Sequence, residues 1–422
     1  MKVRYIYSAC IVIETEDISV LCDPWFTPGA DGGSWAQYPP LVGDPIDVIG
    51  PMDVIYISHT HSDHYDPIFL RRYLAKFSDA ELLITSEKLS FLETRMLADG
   101  FSPTVAKSKT YGGTVLSLVP NYSEPFDHDT ALVVVCGDQS VANLNDNHFD
   151  RKQIAEIKLL CPGGRPDFAG LPYTGAGPYP QTYHFDDPKD RAAAEERKKE
   201  QFLSIYKRFI EALDPKIALP FAGTYFLMGP LSKLNDLRGV SDATTVLSLE
   251  NYGERSVVLA DGGYAQFDLD TMRATATRTE PYDMDAVQSY LNEVTFDGYH
   301  HEQEFKPLGN RPIPLMRLLR HAYQRAINRS PSDEVWWLCF KSGSKGQYFV
   351  MNTAENSGVK EVTDVTGLAP RWEIHIDERL LFLTLCAYYH WEEVEGGSHF
   401  FCIREPNRFN ESVSTFLAFM TI

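Results

Sequence analysis

ISHTHSDHYDP, residues 57–67, sets His59, His61, Asp63 and His64 within six positions, directly after the apolar run DVIY and directly before PIFLRRYLAKF. The first flank has the composition of a short buried strand and the second repeats apolar residues at helical spacing, so the stretch reads as strand, turn, helix. The turn offers two imidazoles two residues apart and then an adjacent Asp–His pair, which an extended backbone aims at two neighbouring points. Neutral imidazole and carboxylate suit zinc, iron or manganese, and such centres lower the pKa of a bound water toward neutrality. The spacing outlines a binuclear metal site, and it decides the reading of the rest.

Outward from this turn, short β-rich runs dominate: VRYIYSACIVIET, ISVLCDPWF, AELLITS, TVLSLVP, ALVVVCG and SVANLND, with helical patterns at 67–77 and 88–100. Strands with intervening helices predict sheets covered by helices, an α/β layered domain. Residues 161–185, rich in Gly, Pro and aromatic residues and without periodicity, predict a long functional loop. A long helix follows over about 186–215, marked by an Asp cap signal, Pro188, and Phe202, Ile205, Phe209 and Leu213 at helical spacing. Near residue 280 the character changes. EVWWLCFKSGSKGQYFVMN reads as a hairpin and ERLLFLTLCAYYHW as a helix, so the expected division is a metal-binding catalytic domain over 1–279 and a smaller α+β domain over 280–422, serving assembly or substrate binding.

The 58 acidic against 39 basic residues give a net charge of -19, which repels phosphate backbones and anionic headgroups. Nucleic acid is not an expected partner. The longest apolar stretches, such as LLFLTLCAYY at 380–389, fall short of the ~18 residues of a spanning helix, and the opening MKVRYIYSACIVIETED reads as a first strand rather than a leader. Seven scattered cysteines, mostly in apolar runs, predict reduced core residues of a cytoplasmic protein. An acidic chain with an aromatic second domain is compatible with a homodimer, although no residue fixes a subunit number.

The HxHxDH stretch resembles the signature of the metallo-β-lactamase superfamily, whose fold is an αββα sandwich with the metal site at one edge. The resemblance implies that Asp23 in VLCDPWF supports the histidine loop, that His128 in FDHDTALVVV completes one metal site, and that Asp146 in SVANLNDN bridges both ions. With His59, His61, Asp63 and His64 these form the expected ligand set, for one or two divalent ions, zinc or iron, with manganese as a further candidate. The chain departs from the family at its last ligand: in ALPFAGTY, Phe221 and Ala222 offer no donor, so His148 or Asp167 is the candidate substitute. A narrower resemblance, carried by PFAGTYF, the helix before it, the loop PDFAGLPYTGAGPYP and LNDN, is to the hydrolase-like portion of CMP-N-acetylneuraminate hydroxylase, an iron enzyme fed electrons by a Rieske domain. The paired Cys and His ligands of a Rieske cluster are lacking in this sequence.

Three functions follow as expectations. In a hydrolase, the metal activates water against an amide, ester or phosphoester of a small anionic or sugar-derived substrate, nucleotide sugars included, with Asp63 as the catalytic proton acceptor. In an iron-dependent oxygenase, the same ligands leave positions open for oxygen and a separate Rieske-type redox partner supplies electrons. In a binding or scaffold protein, the incomplete ligand set is inert. Arg165 beside two glycines is the candidate anion partner, and Tyr173, Tyr179 and Tyr183 are the candidate wall over the metal. His390, Glu395 and His399, which flank a Gly-Gly turn, read as structural.

Overall fold

The computed structural model describes residues 1–85, 91–121, 129–309, 311–343 and 346–422. The expected first strand is a hairpin: β1 (Lys2–Tyr7) and β2 (Cys10–Glu14) pair antiparallel around Ser8, whose φ of 41° makes the turn. No Gly, Asn or Pro announces that turn, which is why the run looks continuous in sequence. There follow β3 (Ser19–Cys22), β4 (Trp35–Ala36), β5 (Val54–Tyr56), β6 (Glu81–Ile84), β7 (Thr104–Val105), β8 (Ser108–Tyr111), β9 (Thr114–Pro120), β10 (Thr130–Cys136), β11 (Gln139–Asn143), β12 (Phe168–Pro172), β13 (Ile217–Phe221), β14 (Phe226–Leu227), β15 (Ala265–Asp268) and β16 (Arg273–Ala274). One sheet runs β16-β15-β1-β2-β3-β5-β6-β7 and the other β13-β12-β11-β10-β9-β8.

Side-chain alternation distributes the residues between layers. In β10, Leu132 and Val134 face Leu116, Leu118 and the first sheet, whereas Ala131 and Val133 face Ile154, Ile157, Tyr206 and Phe209 of helices Arg151–Leu160 and Pro188–Leu213. On the other side, Val12, Leu21 and Ile55 lie under Phe69, Leu70 and Tyr73 of helix Pro67–Lys76 and under Leu92 and Met96 of helix Phe91–Ala98. Each such fully buried side chain contributes about 1.5–3 kcal/mol. The layers are therefore αββα, as the superfamily resemblance implies.

Residues 161–185 correct the loop expectation. FAGLP within them is β12, buried throughout and parallel to β11 on one side and β13 on the other. A strand covered on both faces needs no period-2 pattern. Gly170 is there because a Cβ would stand 3.0 Å from the Phe221 ring of β13.

Beyond the sandwich, helix Met284–Glu293 sets Val287 and Leu291 on Ala36, Phe226 and Met228. A second core begins at Leu315, where helices Leu315–Arg329, Glu378–Leu385 and Glu411–Ala418 cover one face of a five-stranded sheet. Its strands are β17 (Trp337–Lys341), β18 (Tyr348–Asn352), β19 (Lys360–Val362), β20 (Arg371–Ile376) and β21 (Phe400–Glu405), in the order β19-β18-β17-β20-β21. Trp336 and Phe340 of the predicted hairpin are fully buried in this core. Among the described residues, no helix is long and apolar enough to cross a membrane.

Candidate metal centre

β3, β5 and β6 are parallel in one sheet and β11, β12 and β13 in the other, so their carboxyl ends emerge at an edge, where α/β sheets commonly place sites. Asp23, just after β3, is fully buried and takes a left-handed φ of 42°. Its carboxylate accepts from the Ser58 backbone N–H at 2.8 Å and the Ser58 hydroxyl at 2.8 Å, and lies 3.2 Å from His64 Nδ1. Ser58 Oγ also approaches His59 Nδ1 at 2.9 Å. Two residues past the last histidine, Asp66 caps helix Pro67–Lys76 by accepting from Phe69 N, and it also accepts from Phe26 N and Thr27 N. The turn is thus held at both ends by carboxylates.

These contacts occupy the δ nitrogens of His59 and His64 and leave the ε nitrogens pointing inward. Besides Ser58, His59 Nδ1 has an acidic neighbour in Asp129 at 3.6 Å. His59 Nε2 stands 2.8 Å from His61 Nδ1, and His59, His61 and Asp146 each present one ligand atom within 4.8 Å of the others. His64 Nε2 lies 3.5 Å from Asp63 Oδ2 and 3.6 Å from Asp146 Oδ1. Both His64 Nε2 and Asp146 Oδ1 are buried without a hydrogen-bond partner. Buried polar atoms without partners are costly, and a nitrogen and a carboxylate oxygen orphaned together, beside two converging imidazole nitrogens, fit a divalent cation. A carboxylate or hydroxyl on the far nitrogen of each ligand is the usual orienting arrangement at such ions.

Burial, followed by the neighbouring His64 and His61, holds His59 well below the ordinary histidine range, so it is a neutral donor. For His64, burial works in the same direction but is outweighed by the carboxylates of Asp63, Asp146 and Asp23, and its pKa is raised. Burial raises Asp63, against the opposing pull of His64. The cluster is a set of mutually repelling acids around imidazoles, which a cation would neutralise.

Other predicted residues are scattered by the fold. His128 lies outside the described residues. His148 is exposed, its ring beside Phe202, and it is not among the converging donors. Asp167 and Arg165 precede β12 and so sit at the opposite end of that strand from Tyr173. Asp167 accepts from Ser140 N and pairs with Lys216 at 2.5 Å, and Arg165 pairs with Asp214. Neither is a ligand or an anion anchor at this centre, because the strand carries them to the wrong edge. Phe221 points into the inter-sheet core and Ala222 turns the chain at φ 53°, so the last family position indeed supplies no donor. Tyr173 follows β12 at the site edge, but its side chain is 3% exposed, packed into the core and hydrogen-bonded to Thr224, so it does not form a wall over the centre. Tyr179 and Tyr183 instead pack on the C-terminal core, where Arg404 lies over both rings.

Sequence reasoning missed Ser58 and the pair Ser62–Asp31. Asp31 N donates to Ser62 Oγ at 2.8 Å, Ser62 Oγ donates to Asp31 Oδ1 at 3.0 Å, and His399 Nε2 donates to Asp31 O at 2.8 Å. Trp35 Nε1 donates to Gly396 O. The C-terminal unit therefore touches the metal turn through one intervening residue. Burial, then Asp63 and Glu393, raises Asp31 well above the usual carboxylate range. No local pattern signals these residues, since Ser, Asp and His in separate loops become neighbours only in three dimensions.

Residues 2–170 match the model of the beta-lactamase superfamily domain. A protein provisionally named a Rieske 2Fe-2S iron-sulfur protein from Mycolicibacterium smegmatis is 30% identical over 253 residues, 57% of this chain and 47% of that protein. The inactive cytidine monophosphate-N-acetylneuraminic acid hydroxylase of Homo sapiens is 23% identical over 249 residues, 55% of this chain and 47% of that protein. The chain spans about half the length of these curated relatives. The isothiocyanate hydrolase from Delia radicum gut bacteria aligns at a TM-score of 0.39 with 15% identity, over 62% of this chain and 97% of that chain. Both resemblances read from the sequence, to the metallo-β-lactamase superfamily and to the hydroxylase, are borne out.

Proposed function

We propose, taking residues 2–170 as a beta-lactamase superfamily domain, that this chain is a metal-dependent hydrolase of a small anionic or sugar-derived ester, amide or phosphoester. The observation that carries the reading is the orphaned pair His64 Nε2 and Asp146 Oδ1 beside the converging His59 and His61. His59, His61, His64, Asp63 and Asp146 would hold one or two divalent ions. When bound, such an ion supplies Lewis acidity and lowers the pKa of a coordinated water toward neutrality. Asp63, raised by burial and only partly exposed, would accept the proton of the attacking water.

A second reading is favoured by the relatives named for Rieske and hydroxylase proteins: the same ligands holding iron for an oxygen reaction driven by a separate reductant. Turnover of the full chain separates the two. The hydrolase reading expects cleavage of members of an ester, amide and phosphodiester panel under anaerobic conditions. Turnover only with oxygen and a reduced Rieske-type protein would overturn it.

A further inference from the structure

Arg238 is 4% exposed, in a chain with nineteen excess negative charges, yet it makes no ion pair among the described residues. Its guanidinium carbon lies 4.4 Å from the Tyr225 ring centroid and 5.6 Å from that of Phe226; its Nε reaches only the Asn235 carbonyl, at 3.5 Å, and its Nη1 is buried without a partner. Gly239, at φ 62°, packs so closely on helix Pro188–Leu213 that a Cβ would stand 2.8 Å from the Glu195 backbone. One turn along that helix is Lys198, whose part-buried stem carries the ammonium to the Tyr179 carbonyl at 2.8 Å. Burial and then Arg238 push Lys198 down to about 7. A buried guanidinium without an ion pair and a second cation on the helix that Gly239 packs against are unfavourable together unless something anionic completes the set.

The place of this pair in the fold is also informative. Tyr225, against which Arg238 rests, follows β13 on the edge that carries the metal turn and stacks on Trp35 at 3.6 Å; burial raises its phenol, opposed by the charge and side-chain hydrogen bond of Arg238, and Asp31 and Asp63 add more weakly to the rise. Thr174, packed against Gly223 two residues before Tyr225, has a buried hydroxyl that also lacks a partner. Arginine is the side chain best suited to a planar, two-point contact with carboxylate or phosphate oxygens.

We infer that Arg238 and Lys198 form an anion-binding subsite, which seats the carboxylate or phosphate group of the substrate beside the metal centre, with Tyr225 as its wall. Calling its ligand a substrate rests on the hydrolase reading; the binding of an anion does not. The test is calorimetric titration of the full chain, stripped of metal by a chelator, with inorganic phosphate, methyl phosphate and acetate as separate probes. At least one should bind once per chain, and Arg238→Gln should weaken it by about tenfold or more, the loss of a charge-assisted contact. Preference for the phosphates identifies a phosphorylated ligand, and preference for acetate a carboxylate. Lys198→Gln, nearer the surface, should weaken the same probe and keeps the test open if the Arg238 variant does not fold. Absence of binding by all three anions, or unchanged affinity in the variants, overturns the subsite. Because the protein is metal-free, such a failure leaves the metal reading standing, and loss of the metal reading leaves this result standing.

Discussion

Replacing Asp23 by asparagine changes one atom type in a fully buried side chain and should weaken metal binding sharply. One carboxylate oxygen accepts the Ser58 backbone N–H at 2.8 Å, and the other accepts the Ser58 hydroxyl at 2.8 Å and lies 3.2 Å from His64 Nδ1. An amide has one acceptor atom and one donor atom. If its oxygen stays on the Ser58 N–H, its NH2 faces His64 Nδ1; His64 must then give up the Nδ1 proton and carry it on Nε2, the atom that points at Asp63 and Asp146. If the amide is turned over, its NH2 meets the Ser58 N–H and the loop must shift. Either way His64 loses the orientation or the tautomer that a ligand needs. Loss of such an orienting partner costs about 10–100-fold in metal affinity, or ~1.4–2.8 kcal/mol. The assay is competition for zinc and for iron against a chelator of known affinity, run on wild type and variant, with circular dichroism to check the fold. Affinity within twofold of wild type in a folded Asp23→Asn protein would refute the argument that Asp23 sets the tautomer of His64.

Other predictions concern stability. Asp66→Ala removes a helix cap and leaves the Phe26 and Thr27 amides without their acceptor, and should cost about 2–4 kcal/mol in urea denaturation. Phe221→Ala empties a fully buried site between the two sheets and should cost about 3–5 kcal/mol by the same measurement, whereas an effect below about 1 kcal/mol would contradict the packing described. Burial, then Glu392, pushes Glu395 up to about 7. A carboxyl that is raised on folding adds stability below its unfolded pKa and loses it as pH rises through its folded one. Melting temperature should therefore fall between about pH 5 and pH 8 more steeply in wild type than in Glu395→Gln, and parallel profiles would count against the buried, protonated acid.

The layered fold was legible because its strands carry strong apolar runs and because one turn, residues 57–67, concentrates its ligands locally. Where reading failed, the signal was not local. β12 escaped because a strand buried on both faces shows no alternation, and its Gly and Pro resemble loop residues. Arg165 attracted attention for its neighbouring glycines, but strand direction carries it away from the centre, to Asp214. Arg238, by contrast, sits in an unremarkable polar stretch, LNDLRG, and only packing against Tyr225 reveals that it is buried without an ion pair among the described residues. Ser58 needed no special spacing at all, since its hydroxyl matters through Asp23 and His64, which come from two different loops.

The central claim is that His59, His61, His64, Asp63 and Asp146 bind metal. Elemental analysis of the full chain, purified without added metal, tests it directly when zinc, iron and manganese are counted per chain in wild type, His61→Ala and Asp146→Asn. One or two equivalents in wild type, reduced in both variants, is the expected result; a metal-free wild type that takes up no ion from any of the three salts, or a content unchanged by both substitutions, would contradict it.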